Sequence, residues 1–254
     1  MKIEILFPEF CNLFGDLSNM RYLQECLPKA DFIETSLDSE PLFARENPAL
    51  IYLGPMTERT QKKVIEALRP HRERLQTLIE SGTVFLFTGN ASEVLGNYIE
   101  NEDGSRIEGL GLLPIWAKRD MMNRHNSTYL GSFQGEPVMG FKSQFTMTYP
   151  DPEVPGLFET ERGMGLNREC KYEGVRVNNF FGTYLLGPLL INNPPFTRSL
   201  LGLMGAEDPT PAFSAQVEAA YDQRLQDFKA DTSEADRPPE GNQLPIHLPR
   251  FGKK

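Results

Sequence analysis

Short apolar runs alternate with amphipathic stretches through the first half of the chain. This rhythm predicts parallel strands covered by helices, because each crossover must return the chain in the same direction. Lys2 to Phe7 reads as the first strand, and Asp31 to Ser36 and Leu50 to Leu53 as two more. Between the first two, Met20 to Leu27 makes a short helix stopped by Pro28. From Thr57, a good N-cap, the residues Val64, Ile65, Leu68, Leu75, Leu78 and Ile79 keep helical spacing as far as Gly82, with a kink or break expected at Pro70. Thr83 to Thr88 is almost wholly apolar and suits the centre of a sheet buried on both faces. Gly89 to Gly96 follows at once as a turn into a helix-like stretch, with Ser92 as its candidate cap. A strand, a turn and a helix N-terminus in that order present free N–H groups and a positive dipole end, which is where open α/β sheets place their chemistry.

The second half changes character. Leu112 to Ala117, Ser127 to Phe133, Pro137 to Tyr149 and Lys171 to Phe181 are β-like runs separated by Gly and Pro, and they predict antiparallel additions or a layered β extension. A last helix is expected from Ala212 to about Lys229, with Val217, Ala220, Tyr221, Leu225 and Phe228 on one face. These elements define one domain over 1–230. Residues 231–254 are polar, hold Pro238, Pro239, Pro245 and Pro249, and are expected to form a flexible or partner-docked tail.

Composition narrows the function. With 39% hydrophobic residues in 254, the chain can bury a full core. A net charge of −9 argues against a nucleic-acid partner, which needs a concentrated positive field. The opening residues suit neither a secretory signal nor a membrane span, so a cytoplasmic protein is expected. Cys11, Cys26 and Cys170 lack CxxC pairing, and His71, His125 and His247 lack a second ligand at helical or turn spacing. The cysteines are therefore read as packed small hydrophobes, the histidines as solvated or hydrogen-bonded surface groups, and no metal or other cofactor is expected.

Three segments carry a resemblance. Leu6-Phe-Pro-Glu-Phe-Cys-Asn-Leu-Phe-Gly-Asp-Leu-Ser-Asn19, the turn ending in Leu95-Gly96-Asn-Tyr98, and Gly182-Thr-Tyr-Leu-Leu-Gly-Pro-Leu-Leu-Ile-Asn-Asn-Pro194 occur in the order and spacing of a known group. The chain resembles the type 1 glutamine amidotransferases of the cobyric acid synthase-like group, including the glutaminase subunit that amidates lipid II with a Mur-ligase-like partner. The resemblance implies a flavodoxin-like three-layer α/β fold with a mostly parallel central sheet. In active members it also implies glutamine hydrolysis by a cysteine at the turn, activated by a histidine, with ammonia passed to a synthetase.

The residues for that chemistry are missing. Aligned on Leu95-Gly96, the family's Cys-Gly-Gly-(Tyr/Phe)-Gln falls on Gly89, Asn90, Ala91, Ser92 and Glu93, so the nucleophile position has no side chain. Aligned on Gly187-Pro188, the family's histidine falls on Leu186, which can take no proton. The loop where the family has Gly-Gly-Gly-Gln-Asp reads Gly54-Pro55-Met-Thr-Glu58, and Pro55 removes an N–H donor from the oxyanion side. Gly140-Phe-Lys-Ser-Gln144 stands where relatives often carry Gly-Phe-Glu-Asn-His. Arg124 is a candidate carboxylate ligand near the pocket.

Three readings follow. In the first, the chain is a catalytically silent subunit that binds a Mur-ligase-like synthetase or a small ligand in the former glutamine pocket. In the second, it is an enzyme of different chemistry using Asn90, Ser92, Glu93 and Arg124. The third is an ordinary glutaminase whose cysteine reaches the turn from elsewhere.

Overall fold

A computed structural model describes residues 1–230; the expected tail at 231–254 lies outside the described residues. The elements in order are β1 (Lys2–Leu6), α1 (Ser18–Cys26), β2 (Asp31–Thr35), β3 (Leu50–Leu53), α2 (Glu58–Leu68), α3 (Arg72–Glu80), β4 (Val84–Thr88), β5 (Tyr98–Glu100), β6 (Arg106–Glu108), β7 (Ile115–Arg119), β8 (His125–Phe133), β9 (Glu136–Gln144), β10 (Thr146–Pro150), β11 (Gly156–Arg162), β12 (Tyr172–Val177), β13 (Phe180–Thr183), α4 (Leu189–Asn192), α5 (Pro194–Leu203) and α6 (Ser214–Ala230). Nine strands form one sheet in the order β2-β1-β3-β4-β13-β12-β11-β8-β9, and β10-β7-β5-β6 form a second. From β2 to β13 the neighbours are parallel, and from β13 to β9 they are antiparallel. The parallel half and its antiparallel extension are thus one continuous sheet.

Alternation along the central strands explains their apolar runs. Ile51, Leu53, Phe85 and Phe87 face a core shared with Val64, Ile65 and Leu68 of α2 and Leu75 and Leu78 of α3. Leu50, Tyr52, Val84 and Leu86 face a second core with Met20 and Leu23 of α1, Leu189 and Leu190 of α4, and Leu200 and Leu201 of α5. A strand covered on both faces must be apolar at successive positions, as β4 is from Val84 to Phe87. Thr57 caps α2 by accepting from Thr60 N at 3.2 Å, and Pro70 divides α2 from α3 by a 3-10 turn at Arg69–His71.

Several expectations are corrected. The run Pro137 to Tyr149 divides at Phe145 into β9 and β10, which belong to different sheets. The short strands β5, β6 and β11 and the helices α4 and α5 were not foreseen. Gly89–Leu95 continues directly from β4 as a 3-10 helix, entered through Thr88 with no side-chain cap, so Ser92 is a buried residue within it and not its cap. On α6, Val217 and Tyr221 are buried but Ala220 is exposed. His125 is buried, with Nε2 lacking a partner among the described residues, and burial together with the charges of Lys142 and Arg168 pushes the imidazole down to about 4, so it is neutral at physiological pH. His71 is half-buried and meets the Phe43 ring edge-on at 5.6 Å, and His247 lies outside the described residues. None of the described helices is long and apolar enough to cross a membrane.

Candidate functional site

The end of the central sheet where the three motifs meet is organised by a carboxylate from the first of them. Phe14 and Gly15 both take positive φ, 61° and 72°, and the turn they make drops Asp16 into the interior, fully buried. Thr88 Oγ1 at 2.5 Å, Asn19 Nδ2 at 3.2 Å and the Tyr52 hydroxyl all donate to Asp16 Oδ2, and Gly187 N donates to Oδ1. Burial raises the Asp16 carboxyl, and the Thr88, Tyr52, Gly187 and Asn19 bonds pull it back. Thr88 immediately precedes Gly89, and Gly187 immediately follows Leu186. Asp16 therefore ties together the segments that carry Gly89 and Leu186. Asn19 adds a bond from Leu190 N to its Oδ1 at 3.1 Å, so the first and third motifs hold each other through side chains.

At the turn itself, Gly89 has φ +59°, a backbone shape that favours glycine. A Cβ placed there would lie 2.4 Å from Pro55 Cβ and 3.2 Å from Pro55 Cα. The proline ring fills the space a side chain would need. Two bonds fix the loop against the turn: Met56 N donates to Asn90 Oδ1 at 3.0 Å, and Asn90 Nδ2 donates to Met56 O at 2.9 Å. Leu13 N donates to Pro55 O at 3.1 Å, and a Cβ at Gly54 would lie 2.3 Å from Cys11 O. The glycine at 54 is thus required by close backbone approach, and Pro55 cannot move away freely.

Behind the turn the interior is polar but closed. Glu93 is buried and accepts from Gln61 Nε2 at 2.8 Å and from the Tyr184 hydroxyl at 2.7 Å. Gln61 Oε1 accepts from Arg119 Nη2 at 2.7 Å, and the Tyr184 and Thr148 hydroxyls are 2.6 Å apart. Burial pushes the Glu93 carboxyl from 4.5 up to about 7, against the lowering pull of Tyr184, Gln61 and Arg119. The folded state then holds this proton more tightly than the unfolded chain. Its contribution is complete below pH 4.5 and is lost as pH rises to about 7, beyond which it stands about 3 kcal/mol lower. Urea denaturation of wild type and Glu93→Gln at pH 4.5 and 8 should therefore differ by about 3 kcal/mol more at one pH than at the other, the wild type losing ground as pH rises. The donor–donor conflict that Gln creates with Gln61 Nε2 is independent of pH and drops out of that comparison.

The structure brings Gly54, Pro55, Gly89 and Asn90 together and buries Ala91, Ser92 and Glu93 behind them. It separates Arg124, which lies over the Phe145 ring at 4.5 Å and lines a cleft whose walls include none of those residues. Leu186 is buried and its N–H donates to Phe141 O at 3.0 Å. Cys11 is buried with its thiol pushed up to about 12 by desolvation, Cys26 Sγ accepts from Ala212 N at 3.3 Å, and Cys170 packs against the first core. Sequence reasoning missed Gln61 and Arg119, which look like ordinary helix and strand residues, and passed over Asp16 and Tyr184 although both lie within the quoted motifs.

The frame so described matches a known one. A model of the CobB/CobQ-like glutamine amidotransferase domain matches residues 2–194. The chain belongs to this family. It is 24% identical over 245 residues to the lipid II isoglutaminyl synthase (glutamine-hydrolyzing) subunit GatD of Streptococcus pneumoniae, covering 91% of this chain and 92% of the relative. To the subunit of the same name from Staphylococcus aureus it is 27% identical over 194 residues, covering 75% and 78%. Two solved glutamine amidotransferase structures share the fold. One has a TM-score of 0.51 at 14% identity, covering 80% of this chain and 100% of that one. The other, from Thermotoga maritima, has a TM-score of 0.50 at 10% identity, covering 91% and 86%. The amidotransferase fold is flavodoxin-like, with a large central sheet and flanking helices, as the first and third motifs imply.

Proposed function

We propose that this chain is a glutamine amidotransferase-like subunit that has lost glutaminase chemistry and serves as a binding or regulatory partner of a Mur-ligase-like synthetase. The observation that carries the reading is the contact between Pro55 and the space above Gly89. A missing cysteine alone leaves an empty nucleophile site, whereas here the neighbouring loop has filled it. Leu186 at the base position and the absent N–H of Pro55 on the oxyanion side support the same reading. The partner is inferred from the relatives, which are named as subunits of a synthase. Action in the cytoplasm is part of the proposal, supported by the three free thiols, as is a docking role for 231–254.

Purified protein is expected to release no ammonia from glutamine, alone or with a Mur-ligase-like partner; release that a glutamine-mimicking affinity label abolishes would overturn the proposal. Removing one member of a nucleophile–base pair costs on the order of 10⁶-fold in kcat. The double change Gly89→Cys with Leu186→His is nonetheless expected to stay inactive, because the new Cβ meets Pro55 and a positive φ. Ammonia release restored by those two changes alone would show that the proline is not a barrier.

The reading of a different chemistry built from Asn90, Ser92, Glu93 and Arg124 draws little support from the geometry. Asn90 is committed to the Met56 backbone, Ser92 and Glu93 are buried, and Arg124 belongs to another wall.

A further inference from the structure

Helix α6 crosses the antiparallel part of the nine-stranded sheet and stops short of the next row of that face. Arg162 of β11, Leu130 of β8 and Met139 of β9 are register neighbours in one row across three strands. Tyr221 packs on Leu130 and Met139 with Leu225 and Phe228 beside it, and its hydroxyl donates to Pro137 O at 2.9 Å. Arg162 Nη2 donates to Phe228 O, and the guanidinium lies over the Phe228 ring at 5.3 Å. From Tyr221 to Phe228 a helix rises about 10 Å, the width of two strand spacings. The helix therefore runs along this row from β9 to β11, and its last turn is pinned over β11.

Phe141 lies two residues past Met139, so it projects from the same face, with Thr128 opposite it in the register. Its side chain is 45% exposed. A large ring directly beside the footprint of a covering helix is the open continuation of a packing surface, unlike a single apolar residue scattered among polar ones.

The chain that leaves α6 at Ala230 carries residues suited to cover it. In Leu244-Pro-Ile-His-Leu-Pro-Arg-Phe251 the apolar residues Leu244, Ile246 and Leu248 alternate, which puts them on one side of an extended segment. Pro245 and Pro249 restrict the residues before them to extended conformations, and that lowers the entropy lost on docking. Thirteen residues separate Ala230 from Leu244. A connection of that length reaches up to about 45 Å, against about 12 Å from the end of α6 to Phe141 across two strands and one row. Charge favours the same placement. Residues 242–254 hold Arg250, Lys253 and Lys254 and no acid in a chain of net charge −9, and Glu159 and Glu161 are exposed on the strand where α6 ends.

We propose that residues 244–251 dock on their own chain, along the Thr128–Phe141 row beside α6, with Leu244, Ile246 and Leu248 against Phe141. The seat adjoins the segment around Leu186, whose N–H donates to Phe141 O. The docking role of 231–254 thereby gains an address within the molecule, one that does not depend on whether glutamine is hydrolysed.

Fluorescence anisotropy of a labelled synthetic peptide of residues 242–254 tests the seat on the full chain. In the wild type the attached segment competes at an effective concentration on the order of millimolar, so the peptide should bind poorly. In Leu248→Asp with Phe251→Asp the seat is vacated, and saturable binding at least tenfold tighter than to wild type is expected. Adding Phe141→Asp to that chain should abolish the binding. Thr128→Arg, which obstructs the same row from β8 with a like charge, should weaken it at least tenfold. Phe213→Asp, at an exposed ring outside this row, should leave it unchanged. Equal binding to wild type and vacated chain, no binding to either, or binding that survives both Phe141→Asp and Thr128→Arg would overturn the proposal. A wild-type dimer in sedimentation that Leu248→Asp with Phe251→Asp dissociates would also overturn it, by giving the seat to a second copy. Ammonia release is not read in any of these measurements, so failure here and failure of the glutaminase reading are told apart.

Discussion

Replacing Lys142 by methionine is expected to cost about 3–5 kcal/mol of folding stability, among the largest effects of any single change in the chain. Lys142 on β9 is fully buried. Its Nζ donates to Met164 O at 2.8 Å and Gly165 O at 2.6 Å, and faces Glu173 Oε1 on β12 at 3.9 Å. Glu173 is equally buried and accepts from Thr183 Oγ1 at 2.5 Å and from Tyr184 N at 2.7 Å. Burial draws the ammonium down to about 8 and pushes the carboxyl up. Methionine fills much of the volume but leaves two carbonyls and a carboxylate without their cation.

The dependence on pH tells this effect apart from simple loss of packing. Without the ammonium the folded-state pKa of Glu173 rises further, so the penalty is small near pH 4.5 and grows as pH increases above it. Urea denaturation should show Lys142→Met much closer to wild type at pH 5 than at pH 8. Adding Glu173→Gln to Lys142→Met should return part of the loss at pH 8, because the uncompensated charge is then gone. A deficit that is constant with pH would mean that cavity formation, not charge, dominates.

This pair also marks where sequence reading stopped. The segment around Lys142 was recognisable as a departure from Gly-Phe-Glu-Asn-His, but nothing local says that its ammonium meets Glu173 across the interior. The same limit explains the sheet error at Phe145. Apolar and polar residues alternate without a turn signal from Pro137 to Tyr149, and the decision to leave one sheet for another is made by partners far along the chain. Elements whose causes are local were legible. The apolar run of β4, the threonine cap and proline break between α2 and α3, and the amphipathic face of α6 each carry their reason within a few residues. The three-residue strands β5 and β6 carry too few alternations to announce themselves.

Of the candidate site, Gly89, Leu186 and Pro55 each stood out in the sequence, but not their relation. In the fold, Pro55 and Gly89 make one contact, so proline on the loop and glycine at the turn are complementary: each removes the steric obstacle to the other. Asn90 then pins the same loop through Met56. Arg124, a pocket candidate by sequence, lines a different cleft from Gly89, because sequence proximity to a motif says little about which cleft a strand-start side chain enters.

Asp16→Ala is the second change expected to be severe, at about 4 kcal/mol, and it tests what joins the end of β4 to the segment around Leu186. The carboxylate accepts from Thr88, Tyr52, Asn19 and Gly187 N. On its removal the Tyr52 and Thr88 hydroxyls, 3.3 Å apart, can turn to each other, and Tyr52 can also use Asp16 O at 3.1 Å. Asn19 Nδ2 and Gly187 N have no such alternative. Two orphaned buried donors at about 1–3 kcal/mol each, together with the cavity, give the expected loss. Asp16→Asn keeps an acceptor for Gly187 N and should cost less than half as much. Hydrogen exchange provides the decisive reading, because Asp16 is the link between the end of β4 and the segment around Leu186. Amides from Tyr184 to Leu190 should lose protection in Asp16→Ala well before those of β3 and β4. Uniform loss across the sheet would instead make Asp16 an ordinary contributor to the core. Preferential release of that segment would mean that the first motif holds the end of β4 and the segment around Leu186 together, a constraint on the fold that acts through Thr88 and the Gly187 N–H.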